Sequence, residues 1–366
     1  MDLALYDREV GYYARAAQRS GRAGDFFTSV DVGPLFGELI AIQLAEMADM
    51  LTGDFDLVEA GAGNGRLSAD ILRAARAHFP SFYDRIRLHL VETSAAARGE
   101  QRGTLGEVGG RLDSSAATLP ESFEGALVAN ELLDAMPVHQ VVMREEGLRE
   151  VYVNASAPFS AGADHTACLV TVEGPPSTPA LAAYLDRLGI ALEPGWRVEI
   201  NLRAVDWIRD AARRLGRGFI VLIDYGHDAS ELYSAAHADG TLTTFTRHTS
   251  AGPESTGAVP TWLRHPGEQD ITAHVDFTSV RAAAAAEGCA TLGFLDQTYF
   301  LMGLLTGGRE PFAVSAMHMA ETAKGSRHLK TLIMPGGLGS THKVLILGKG
   351  VGAPALHGCS FRMRVT

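Results

Sequence analysis

Two clusters in this 366-residue chain have the residue types and spacing of a chemical site. The first is FDLVEAGAGNGRL, residues 55 to 67, where Gly61, Gly63 and Gly65 follow an apolar run that ends in an acid, Glu59. The second is ANELLDAMPVHQ, residues 129 to 140, which gathers Asn130, Glu131 and Asp134. Glycines at close intervals let a backbone lie against a ligand, because no Cβ stands in the way. The dinucleotide fingerprint needs its third glycine one place later, where this chain has Arg66, so a pyrophosphate site is disfavoured. A carboxylate at the strand tip would also repel an anion arriving at the following helix N-terminus, and would attract a cation. S-adenosyl-L-methionine meets these terms, with sulfonium and ammonium charges and no phosphate. Taken without their flanks, the same glycines describe a plain tight turn.

The flanks argue for more than a turn. "FDLVEA" reads as a buried strand, Ser68 to His78 as a helix stopped near Pro80, and "RLHLVE" (87 to 92) as a second strand, which together make a parallel βαβ unit. Glu92 then stands at the second strand's tip, where an acid can accept both ribose hydroxyls. It lies 31 residues after Gly61, more than the usual spacing of about 20, and a longer crossover through "FPSFYDR" accounts for the excess. Asp113, in "GRLDSS" after the third strand candidate, is assigned to the adenine amino group. Asn130 and Glu131 fall just past a further apolar strand, at the carboxyl edge where doubly wound sheets bind ligands. Methyl transfer needs an acceptor aimed along the S–CH3 axis at about 3 Å, so its catalysis is positioning and charge placement. Asn130, Glu131 and Asp134 could hold an amine or guanidinium by charge-assisted hydrogen bonds. The bland alternative is that the two acids cap the next helix.

Leu35 to Leu51 has the apolar spacing of a helix with one buried face. "GALVANE" (125 to 131) and "GFIVLIDYG" (218 to 226) are apolar on both faces and read as central strands, and "KVLILGKG" (343 to 350) as a last one. Between 140 and 195, "VVMREEGLREVYV" alternates like a hairpin and "EGPPSTPA" is a proline-rich connection, which marks an insertion. Residues 227 to 280, rich in Thr, His, Gly and Pro, read as a functional loop or lid. A formal charge of −11 argues against general nucleic-acid or anionic-membrane binding. The three cysteines (Cys168, Cys289 and Cys359) are far apart and suggest reduced thiols rather than disulfides or zinc. The N-terminus lacks a signal-peptide core and no window is apolar enough to span a bilayer, so a soluble, cytoplasmic protein is expected.

Beyond these local patterns, the chain resembles the MidA family of class I methyltransferases, bacterial relatives of the mitochondrial complex I assembly arginine methyltransferase. The resemblance is carried by "ALYDREVGYY" (4 to 13), "GRAGDFFTSVDVGPLFGELI" (21 to 40), "VEAGAGNGRL" (58 to 67), "VETS" (91 to 94), "ANELLDAMPVHQ", "EINL" with "DWI", "GFIVLIDYGH", "GTLTTFTRH" and "PGEQDITAHVDF" (266 to 277). It implies an α/β fold: a Rossmann-like class I methyltransferase sheet with an inserted α+β substrate lobe and an N-terminal helical cap. It also implies S-adenosyl-L-methionine as methyl donor and, from the mitochondrial member, a protein arginine as acceptor. A respiratory complex I subunit is among the implied partners, and a homodimer is compatible. The loop Gly24, Asp25, Phe26, Phe27 and Thr28 would close over the methionine end of the cofactor near the acceptor. Read locally, "AGDFFTS" is equally a capping turn with core aromatics.

The expected layout is a cap and cofactor/substrate loop over 1–50, the first part of the cofactor-binding core over 51–140, and an inserted lobe over 141–194. The core continues over 195–226, a substrate loop or lid covers 227–290, and the last core strands and helices cover 291–366. The chain departs from the family in having Val30 where Pro follows "FTS", Ala62 within the glycine turn, and "LGSTHKVL" where the family writes MGE-x-F-K-V-L. Family members carry a further helical stretch before "ALY", so Met1 is expected to be an internal start or this member to be shorter. His248, Asp270, His274 and Asp276 have metal-ligating side chains, but in this family they are expected to hydrogen-bond, with no metal. The leading expectation is a methyltransferase acting on a protein arginine nitrogen. A small-molecule O- or N-methyltransferase and a cofactor-binding assembly chaperone without turnover are the alternatives.

Overall fold

The computed structural model describes residues 1–14, 28–156, 168–246, 249–253, 259–306, 323–333 and 342–361. They divide into two compact units, one from Met1–Arg15, Leu133–Val205 and Gly226–Val280, the other from Ala16–Leu132, Asp206–Tyr225 and Arg281–Thr366.

The second unit is built on strands β1 (Phe55–Ala60), β2 (Ile86–Val91), β3 (Leu112–Ala116), β4 (Phe123–Asn130), β5 (Leu215–His227), β6 (Ala290–Asp296) and β7 (His342–Lys349). Their order across the sheet is β6-β7-β5-β4-β1-β2-β3. Strands β3, β2, β1, β4 and β5 run parallel, whereas β7 is antiparallel to both β5 and β6. β1 is buried along its whole length, as a strand covered on both faces must be. The helix Leu35–Asp49 is buried on nearly every side, so its residues contribute to the core without the one-faced pattern expected of it. It crosses the helix Arg66–His78 at Gly37, where a Cβ would come 2.6 Å from Asp70 Cβ. Each Leu or Ile buried in this layer contributes about 1.5–3 kcal/mol.

The chain leaves β1 toward β2 and β3 on one side and returns to β4 and β5 on the other. That reversal puts the switch point between β1 and β4, where open α/β sheets bind their ligands beyond the strands' carboxyl ends. β3 and β6, unmarked by apolar runs, are the sheet's edges and stay partly exposed.

The first unit contains an antiparallel sheet, in the order Cys168–Gly174, Gly147–Ser156, His139–Arg144, Arg197–Ile200. Its hairpin pairs Arg144 with Gly147. Residues 227–280, expected as a loop or lid, hold a second small sheet of Thr249–Ala251, Thr243–Thr246 and Asp270–Thr272. These strands are too short and Thr-rich to show an apolar run. Val275–Asp276 continues the parallel pairing onto the last two residues of β5.

Candidate functional site

The carboxyl ends of β1, β2 and β4 bring most of the sequence-derived residues to one edge. Gly61, Gly63 and Gly65 all have positive φ (72°, 51° and 84°), so each sits where other residues are strained. The turn hangs from β2: the N–H groups of Gly61 and Ala62 both donate to the Val91 carbonyl, at 2.9 and 3.1 Å. Gly63 is fixed from both sides. Its N–H donates to Glu92 Oε2 at 2.9 Å, and its carbonyl accepts from Gln101 Nε2 at 2.8 Å. A Cβ on Gly63 would meet nothing within 4 Å among the described residues, so what requires glycine here is the backbone conformation and whatever must approach it.

Glu59 lies beneath this turn rather than in its mouth. It is buried, and its Oε2 accepts from the Ser68 N–H at 3.1 Å and from the Ser68 hydroxyl. Burial is the main reason its pKa rises to about 7; the two Ser68 bonds oppose the rise, and Glu92 and Asp70 add to it. The free carboxylate expected at the strand tip is therefore a partly protonated brace of the helix N-terminus. Glu92 is the acid that faces the ligand edge. Its Oε1 accepts from Ser94 N at 2.7 Å and from the Thr93 hydroxyl at 3.3 Å, and its Oε2 from Gly63 N, which leaves acceptor capacity on Oε2 for a ribose hydroxyl.

Asp113 is not brought to this edge. It is the second residue of β3, not a residue beyond it, and its Oδ2 lies 3.6 Å from His89 Nδ1. His89 in turn reaches Asp56 at 3.3 Å, a cluster at the amino-terminal half of the strands. At 3.3 Å per residue, Asp113 is about 10 Å short of the carboxyl end of β3. Assigning it to the adenine amino group is thus corrected.

Beyond β4, Asn130 ends the strand and its Oδ1 is buried with no hydrogen-bond partner among the described residues. Its Nδ2 donates to Glu131 Oε1 at 3.2 Å. Glu131 has φ 52°, and it is the one non-glycine with positive φ among the described residues. The conformation is held by neighbours on β5. Glu131 N–H donates to the Ile223 carbonyl at 2.8 Å, and the next N–H, of Leu132, donates to Asp224 Oδ2 at 3.1 Å. Strain in a segment so over-determined marks functional sites.

Two contributors were missed in the sequence. Gln101, fully buried, links the turn to β3 through Ser115 at 2.6 Å, and no motif surrounds it. His342, fully buried at the start of β7, places Nε2 3.4 Å from Glu131 Oε1 and packs against Tyr225 with ring centroids 3.9 Å apart and planes tilted by 44°. The departure "LGSTHKVL" was its only signal.

Thr28 is the N-cap of a short helix, Ser29–Val32; its N–H and hydroxyl both donate to Asp31 Oδ2, at 3.0 and 2.9 Å. Asp31 Oδ1 accepts from Arg66 at 2.9 Å, which ties this segment to the helix after the glycine turn. Gly24, Asp25, Phe26, Phe27 and His248 lie outside the described residues.

Asp134 belongs to the other unit, where it is 3% exposed and its carbonyl accepts from Ala273 N at 2.9 Å. The Tyr13 hydroxyl donates to Asp270 Oδ1 at 2.8 Å; burial, followed by Asp270, Tyr6 and Asp134, holds its pKa well above the usual value. Asp276 caps the helix Phe277–Ala286, accepting from Thr278 N at 2.9 Å and Ser279 N at 3.2 Å.

The edge suits S-adenosyl-L-methionine: a backbone with nothing above Gly63, a carboxylate with spare acceptor capacity at Glu92, and an orphaned buried oxygen on Asn130 that a donor would satisfy. No helix among the described residues is long and apolar enough to cross a membrane. Comparison with known proteins agrees with this chemistry. Residues 39–295 match the S-adenosyl-L-methionine-dependent methyltransferase family. The mitochondrial protein arginine methyltransferase NDUFAF7 of Mus musculus is 30% identical over 336 residues, covering 82% of this chain and 70% of the relative. Its Danio rerio counterpart is 27% identical over 362 residues, covering 92% and 79%. The crystal structure of a COG1565 superfamily member from Burkholderia thailandensis, bound to S-adenosyl-homocysteine, superposes with a TM-score of 0.82 at 30% identity, covering 100% of this chain and 90% of that one. The chain belongs to the MidA-like family of S-adenosyl-L-methionine-dependent methyltransferases, with the α/β fold and the methyl donor that go with it.

Proposed function

We propose that this methyltransferase acts on a protein and methylates an arginine side-chain nitrogen. The observation that carries the reading is Glu131, a carboxylate held in a left-handed conformation at the switch-point edge beside the unpartnered Asn130 oxygen. The relatives named as protein arginine methyltransferases support it. S-adenosyl-L-methionine supplies an electrophilic methyl carbon when bound. Gly61, Gly63, Gly65 and Glu92 are its proposed holders, with Asn130 serving its charged end, and with Gly24, Phe26 and Thr28 assigned to the covering loop. Glu59 acts beneath them by bracing the turn.

The chain's own part in transfer is to orient the acceptor. A guanidinium donates two parallel N–H bonds to one carboxylate, a pairing that fixes its plane as well as its position. Glu131 is assigned that grip, and Asp25 a remaining contact to the acceptor. Cysteine usage and charge support a cytoplasmic setting.

Incubation with a methyl-labelled donor and cell lysate tests the reading, with a respiratory complex I subunit as the first acceptor to examine. A labelled protein band whose label resides in methylarginine is expected. Label in a small molecule would replace the reading with a metabolite methyltransferase, and tight cofactor binding without any transfer would replace it with a chaperone role.

A further inference from the structure

Of the sequence's metal candidates, Asp270 and Asp276 are engaged as described above and His248 lies outside the described residues, but a trio that includes His274 is brought together. His227 ends β5, His237 ends the turn Ala235–His237, and His274 joins the strands Asp270–Thr272 and Val275–Asp276. The pairing of Gly226 with Val275 and of His227 with Asp276 sets His227 and His274 on adjoining strands. The ring centroids are 4.9, 5.3 and 5.8 Å apart, and one ligand nitrogen from each ring lies within 4.8 Å of the others.

We propose that His227, His237 and His274 bind a divalent transition metal of the imidazole-preferring class, with Zn2+ as the probe, and that the metal clips residues 227–274 to the end of β5. This site is independent of the methyl-transfer reading. Zinc holds imidazole nitrogens at about 2.0–2.1 Å, so the three ligand atoms would close to roughly 3.4 Å of one another. Three histidines leave a fourth position for water or an outside ligand.

The surroundings match a metal's outer shell. His237 Nδ1 lies 3.1 Å from the Glu231 carbonyl, a contact in which the imidazole must donate, leaving Nε2 as the lone-pair atom. His227 Nδ1 lies 3.0 Å from Glu231 Oε1, within ion-pair distance. Glu231 thus lies against two of the rings. His274 has its backbone N–H donated to Thr241 Oγ1 at 3.0 Å, while its Nδ1 is buried without a hydrogen-bond partner among the described residues. A buried polar atom in that condition calls for a ligand. The three ligands come from segments 10 and 37 residues apart, so a shared ion would close two loops that the short strands of this region hold weakly.

The full chain, stripped with a chelator, is dialysed against Zn2+ for metal analysis and against Co2+ for its visible absorption. We expect about one ion per chain, a spectrum typical of low-coordinate Co2+, and a higher melting temperature with Zn2+ than without. His237→Ala and His274→Ala should abolish binding, and Glu231→Gln should weaken it about 10- to 100-fold. Because His274→Ala alters a buried position, the metal-free circular dichroism of each variant is compared with the parent, and His237→Ala carries the test if His274→Ala does not fold. No binding at micromolar Zn2+, or binding that survives both histidine substitutions, overturns the site. An unchanged melting temperature on loading overturns the clip.

Discussion

Two turns meet at the switch point of the sheet, and they are built on opposite principles. After β1, the glycine turn is anchored at several points: Glu59 braces Ser68, Glu92 takes the Gly63 and Ser94 N–H groups, and Gln101 takes the Gly63 carbonyl. Its unusual dihedrals fall on glycines, which adopt them at little cost. After β4, the segment puts the unusual dihedral on Glu131 and leaves the Asn130 oxygen unpaired. The backbone of a cofactor cradle can be fixed in advance, whereas the side chains that meet cofactor and acceptor, Asn130 and Glu131 among them, must keep bonding capacity until those arrive.

The largest expected effect separates the two turns. Glu131→Gln keeps size and one acceptor but loses the charge, so methyl transfer should fall by roughly 10²- to 10³-fold, the scale seen when a positioned charge-stabilising group is removed. Cofactor affinity, measured by calorimetry, should stay within about threefold. Equal loss of both would place Glu131 in the cofactor cradle and erase the contrast. The converse substitution is Gly63→Val, which forces a β-branched residue to φ 51°. At about 1–3 kcal/mol for such a conformation, cofactor affinity should drop roughly 5- to 150-fold. Unchanged affinity would mean that the open space above Gly63 is not where the cofactor lies.

The difference between the turns also decided what could be read from the sequence. β1, β2, β4, β5 and β7 showed themselves as apolar runs because they are the covered strands. β3 (LDSSA) and β6 (ATLGFLD) did not, because at the rim of the sheet their side chains stay partly exposed and need not be apolar; reading Asp113 as lying beyond a strand was a direct consequence. The glycine turn announces itself through composition, since glycine is the cheapest answer to positive φ. The second turn does not, because nothing in "NELLD" distinguishes a strained Glu131 from a helix cap. Gln101 and His342 act as single side chains arriving from distant elements, so no local spacing encodes them. The reversed direction of β7 follows from topology alone. Of the trio's three histidines, only His274 was singled out, because the trio's spacing matches no metal motif.

The brace beneath the first turn makes a smaller, pH-dependent prediction. Glu59 has a folded-state pKa raised from 4.5 to about 7. Between those values the native chain binds more protons than the unfolded chain, so this residue makes stability fall as pH rises through that window and leaves it level on either side. Glu59→Gln still offers an oxygen to Ser68 and does not titrate. Denaturant unfolding across pH 4.5 to 7 should therefore show a shallower fall in the variant than in the parent. Identical slopes would return Glu59 to the role of an ordinary ionised acid.

The smallest effect bears most directly on strain. At an ordinary position glycine is less stable than alanine by about 0.5–1 kcal/mol, because it surrenders more freedom on folding. At φ 52° the order should reverse, since a Cβ in the left-handed region costs about 1–2 kcal/mol. Glu131→Gly and Glu131→Ala both delete the carboxylate, its bond from Asn130 and its contact with His342, so those losses cancel in the comparison. The glycine variant should unfold at higher denaturant by an equivalent of roughly 1 kcal/mol, and neither should transfer methyl groups. If alanine proves the more stable, the backbone at Glu131 carries no stored strain, and the second turn differs from the first only in its unpaired Asn130 oxygen.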